Sequence, residues 1–64
     1  MCLSKAYVDR SGRLELVMED VASVAVSGDL LRLRTLFGEE KEIAGHIREI
    51  DLMKHTVLLE ELAG

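Results

Sequence analysis

The chain has 64 residues, room for one domain with a small core, since such a length buries only about 60% of its unfolded surface. A hydrophobic content of 48% favours a folded globule over a disordered chain, although Tyr7 and Phe37 are its only aromatic residues. Twelve acidic against eight basic side chains give a formal charge of −4, which opposes non-specific binding to nucleic-acid phosphates.

The chain opens on Met1-Cys2-Leu3-Ser4-Lys5. Cys2 is the only cysteine, so an internal disulfide and a zinc site of several cysteines from one chain are both excluded. Directly after Met1, it has chemical neighbours that an internal cysteine lacks. The free α-amine of Met1, the Cys2 amide nitrogen and the Cys2 thiolate can close adjacent five-membered chelate rings on one metal. Nitrogen donors and a soft sulfur in one plane suit a square-planar ion, which points to Ni(II) or Cu(II). Removal of Met1 would still leave an amine and a thiolate on Cys2 itself. The competing reading makes Cys2 a small apolar residue that opens a strand. No apolar stretch long enough for a secretory signal comes after it, and the longest apolar run anywhere is three residues. A cytoplasmic protein without a membrane span is expected, its Cys2 kept as a thiol.

Glycines punctuate the rest of the chain, in the turn-like stretches Arg10-Ser11-Gly12-Arg13, Ser27-Gly28-Asp29 and Phe37-Gly38-Glu39-Glu40. Between them, Leu14, Leu16 and Met18 alternate with Arg13, Glu15 and Glu19. Val21, Val24 and Val26 add a β-branched cluster. In Leu30–Phe37, the side chains of Leu31, Leu33 and Phe37 fall on one face, with Arg32 and Arg34 on the other. The run Glu39-Glu40-Lys41-Glu42 reads as a solvated turn. Val57 and Leu59 are set against Thr56 and Glu60. A helical alternative exists, because Leu14, Val17, Met18 and Val21 also fit the i, i+3, i+4, i+7 template, and Ile47, Ile50 and Met53 or Lys54 fit part of it. Period two and the close spacing of glycines favour strands, so the expectation is an all-β, antiparallel meander of about six or seven short strands. So many strands in so few residues hide their edges only by curling into a small barrel.

Catalytic chemistry is thinly supplied. Ser4, Ser11, Ser23 and Ser27 lie in no nucleophile-elbow context, and no glycine-rich phosphate loop is present. Cys2 with His46 or His55 is the one nucleophile–base pairing the composition offers, and a small barrel has little room for an enclosed substrate. We therefore expect no catalytic residue. His46 and His55, nine positions apart, cannot form a one-helix metal pair; each is either an ordinary surface histidine or an auxiliary metal ligand. Tyr7 with Arg32 and Arg34 is the only combination suggestive of a single-strand nucleic-acid surface, and cross-strand pairing of the arginines with glutamates explains them equally.

The opening Met1-Cys2-Leu3-Ser4-Lys5, together with Asp20-Val21-Ala22-Ser23-Val24, Thr35-Leu36-Phe37-Gly38-Glu39-Glu40, Ile50-Asp51-Leu52 and Val57 to Glu60, resembles the CooT family along nearly the whole chain. These are small nickel-binding proteins linked to maturation of carbon monoxide dehydrogenase, and members have also been labelled predicted RNA-binding proteins. The resemblance implies an SH3-like barrel, a homodimer, and Ni(II) bound through Cys2, with Met1 contributing its amine. Neither histidine is implied. A nickel-enzyme client such as carbon monoxide dehydrogenase is then expected, and an RNA-binding or protein-interaction module with a structural Cys2 is the alternative.

Overall fold

The computed structural model describes residues 3–62. It contains β1 (Ser4–Arg10), β2 (Arg13–Ser27), β3 (Leu30–Thr35), β4 (Glu40–Asp51) and β5 (Thr56–Glu61), joined in that order into a closed barrel. Consecutive strands pair antiparallel, whereas β1 and β5, which close the barrel, run parallel. An up-and-down path with an odd number of strands leaves its first and last members pointing the same way. The all-β barrel is as expected, but it has five strands rather than six or seven. At 15 and 12 residues, β2 and β4 are long enough to serve two neighbours each. β2 pairs with β1 as far as Val21 and with β3 from there on; β4 pairs with β3 through Ala44 and with β5 from Gly45. Among the described residues, no helix is long and apolar enough to cross a membrane.

Each long strand needs a device at its corner. In β2 it is Asp20, held at φ 56°, a left-handed conformation that a short polar side chain tolerates, next to a register shift after Val21. In β4 it is Gly45, where any Cβ would run into the Glu60 carbonyl oxygen of β5. Gly45 therefore lies inside a strand. Ser11 and Gly12, both with positive φ, close the β1–β2 hairpin with the primed turn that matches strand twist.

The core is Ala6, Val8, Val21, Leu31, Leu33, Ile43, Val57 and Leu59, with Val17, Met18, Val24 and Ile47 packed against it. Leu31, Leu33, Val57 and Leu59 face inward as their alternation predicts. Phe37 does not. The inward position after Leu33 belongs to Thr35, whose Oγ1 accepts hydrogen bonds from the backbone N–H of Phe37 and Glu39 at 3.2 and 3.1 Å. That turn ends β3 and leaves Phe37 74% exposed. Leu14 and Leu16 also face out, because they pair with Asp9 and Tyr7 while Ala6 and Val8 point inward. The register of β1 on β2 shifts between Ala6 and Tyr7, which leaves Val17 as an unpaired bulge residue. Val17 and Met18, neighbours in sequence, consequently both contribute to the inner face.

Candidate metal centre

Met1 and Cys2, the expected metal ligands, lie outside the described residues. The residues just after them define where the N-terminus leaves the barrel. Ser4 pairs with Val21 at the β2 corner, and Lys5 pairs with Thr56 at the start of β5. The Lys5 N–H donates to the His55 carbonyl at 3.0 Å, tying the N-terminal strand to the β4–β5 turn. That turn is built by Asp51, whose Oδ1 accepts from the N–H groups of Met53 and Lys54, each at 3.0 Å. It is completed by His55 at φ 55°. On the other side, the Asp20 carbonyl accepts from the Leu36 N–H at 3.2 Å, which brings the β3–β4 loop to the same end.

Two apolar tips consequently lie at the end of the barrel where β1 begins: Leu52 and Met53 from one loop, Leu36 and Phe37 from the other, all exposed. Between the β2 and β4 corners lies a cleft of about 240 Å³ whose walls include Ser4, Val21, Val24, Ile47, Ile50 and Val57. No charged side chain lines it.

The two histidines are separated by the topology. His46 pairs with Glu60, and its Nε2 lies 3.0 Å from Glu60 Oε1 on the outer surface. Glu60 is five positions along β5 from His55, roughly 16 Å at strand rise. Only His55 sits at the N-terminal end. Among the described residues, no group of three or more histidine, aspartate or glutamate side chains is placed to hold a metal. A metal at this end would depend on the donors of residues 1 and 2: amine, amide nitrogen and thiolate, a set that fits a square-planar ion.

Nor does the structure assemble the nucleic-acid surface suggested by Tyr7, Arg32 and Arg34. Tyr7 pairs with Leu16 and Leu58, not with β3. The Arg32 guanidinium donates twice to Glu42 Oε2, at 3.2 and 3.0 Å. Arg34 Nε donates to Glu40 Oε2 at 2.8 Å, and its Nη2 reaches the same oxygen. The acidic run from Glu39 to Glu42 is thus largely the opening of β4, with Glu40 and Glu42 facing the arginines of β3.

Comparison with known proteins places the whole chain in a family. Residues 1–60 match the family model described as "CO dehydrogenase accessory protein CooT". The chain belongs to the CooT family. An uncharacterized protein of Methanocaldococcus jannaschii is 46% identical over 60 residues, covering 94% of this chain and 98% of that one. Another, from Methanothermobacter thermautotrophicus, is 35% identical over 60 residues, covering 94% of this chain and 89% of its own. The crystal structure of a "putative CooT" from Carboxydothermus hydrogenoformans superposes with a TM-score of 0.88 at 29% identity. That match covers 97% of this chain and 100% of the other. CooT membership describes an accessory protein of CO dehydrogenase.

Proposed function

We propose that the protein is a nickel-handling factor, a Ni(II) metallochaperone whose client is carbon monoxide dehydrogenase. The observation that carries this reading is the family match from residue 1, which includes the chain's only thiol, Cys2. In this reading Ni(II) is cargo, held by the Cys2 thiolate and amide nitrogen together with the Met1 amine. Few ligands at the end of a chain suit an ion that must be handed on. Binding displaces protons from these donors, so affinity falls as pH falls.

The test is anaerobic titration of tag-free protein with Ni(II), watched by thiolate-to-nickel charge-transfer absorption. Cys2→Ser should lose tight binding and keep its fold. Wild-type affinity in that variant would remove Cys2 from the site. An uncleaved N-terminal extension should also weaken binding, because it turns the amine into an amide.

We further propose that the protein works as a homodimer. Sixty-four residues without a disulfide gain stability by covering apolar surface with a partner. A two-fold axis could bring a pair of Cys2 thiolates to one ion.

A further inference from the structure

We infer that the free edge of β4 takes an added strand from a partner protein, an extended segment in which apolar and basic residues alternate. The inference goes beyond the nickel reading and needs neither Cys2 nor a metal.

Bending of the two long strands leaves each with an open side. From Arg13 to Met18 the side of β2 away from β1 has no strand beside it, and from Glu40 to Ile43 the side of β4 away from β3 has none. A groove of about 500 Å³ runs between these edges over Val8, Val17 and Ile43. The backbone of Glu42 opens into it. The Gly45 N–H donates to the Asp29 carbonyl on the β3 side at 2.7 Å, while the Ala44 carbonyl accepts from the Leu62 N–H on the opposite side at 2.9 Å. Alternation along the strand then turns the N–H and C=O of Glu42, two residues before Ala44, off the free edge. The Glu42 side chain is engaged by Arg32, yet the residue still lines the groove, as one does whose backbone forms the wall.

Backbone donors and acceptors along a strand edge are matched by another extended backbone, which fixes the conformation of the occupant. The side chains fix its chemistry. On its inner face β4 presents Ile43 and, opposite the inward Leu33, Lys41. Apolar residues suit that face and basic ones do not. On its outer face it presents Glu40 and Glu42, each with a β3 arginine on one flank and the free edge on the other. Basic residues suit this face, and the net charge of −4 draws a basic segment toward it. A second copy pairing through the same edge would instead set Glu40 and Glu42 against their own counterparts, and like charges on facing strands repel.

The test is a titration of the full-length chain with a blocked peptide alternating valine and lysine, followed by amide NMR. The Glu42 N–H resonance should shift, and its hydrogen exchange should slow by at least about tenfold at saturation. Added salt should weaken binding, and a peptide alternating valine and glutamate should bind at least about tenfold less tightly. Glu42→Gln should lose up to about fivefold in affinity. Glu42→Pro, which a strand edge tolerates, also removes the N–H and should lose at least about tenfold. A peptide N-methylated at every lysine keeps its charges, lacks the donors that face the edge, and should lose as much. Cys2→Ser should bind the peptide as wild type does. No binding, equal binding of the glutamate peptide, or undiminished binding of the N-methylated one would each overturn the inference. So would shifts confined to Leu36, Phe37, Leu52 and Met53, which would move the contact to the apolar tips. A Glu42 N–H whose protection in the free protein rises with protein concentration would overturn it as well, by giving the edge to a second copy.

Discussion

Gly45 and Thr35 carry more of the fold than their size suggests. At Gly45 the strand passes from β3 to β5 so closely that a methyl group would overlap the Glu60 carbonyl oxygen, which is backbone and cannot swing away. Gly45→Ala should therefore cost about 1–3 kcal/mol, the usual range for forced overpacking, read as a lower urea midpoint. Thr35 is the only buried polar side chain among the described residues, 4% exposed. Its hydroxyl satisfies two backbone N–H groups of the adjoining loop. Thr35→Val keeps the shape, removes the acceptor and should destabilise by about 1–3 kcal/mol. The Arg32–Glu42 and Arg34–Glu40 pairs are different in kind. Their side chains are about half exposed, so Arg32→Gln should change stability by less than about 1 kcal/mol.

At the scale of elements, β2 is the place where the chain departs from a simple alternating strand. Asp20 occupies a left-handed backbone, which a β-branched residue resists. Asp20→Val should lower stability by about 1–3 kcal/mol, and Asp20→Asn should leave the thermal midpoint nearly unchanged. The same irregularities decide how much of the fold can be read from sequence. β3 and β5 are legible because Leu31, Leu33, Val57 and Leu59 keep a period of two and do face the core, although Leu58 blurs the alternation in β5. β2 is not, because the bulge at Val17 and the corner at Asp20 each break the period of two. They leave Val17, Met18 and Val21 on the inner side, the spacing that imitates a helix. Counting strands fails for a related reason: a strand that bends through a corner has turn-like residues in its middle and resembles two. At the proposed site, chain position alone singles out Cys2 as the candidate donor. That His55 lies beside the start of β1 depends on the parallel β1–β5 pairing, a contact between distant parts of the chain that no local pattern encodes.

The whole molecule leaves a good deal of apolar surface in water. Tyr7 has Leu16 on one neighbouring strand and Leu58 on the other, and Leu14 extends the row. Leu14 and Leu16 are 58% and 48% exposed, although their strand has room for charge, as Arg13 and Glu19 show. A stable interface takes about 800 Å² from each partner, roughly a sixth of this chain's 4617 Å². The proposed homodimer thus fits the molecule's size, and the Tyr7–Leu16–Leu58 row is a surface able to form its centre. Charge sharpens the test. With a net charge of −4, two copies repel, so a carboxylate placed in that row would face both its own symmetry mate and the surrounding acids. Sedimentation equilibrium at about 10 μM should show a dimer for wild type, since an interface of micromolar strength is largely assembled there. Leu16→Glu should sediment as a monomer near 7.1 kDa while keeping its β-sheet circular dichroism, because Leu16 contributes nothing to the core. A dimer that survives Leu16→Glu would move the interface elsewhere, and a monomeric wild type would remove the dimer. If the two Cys2 thiolates share one ion, Ni(II) must tighten the wild-type dimer, because a ligand stabilises the state that binds it better. The same addition to Cys2→Ser should then leave its dimer constant where it was.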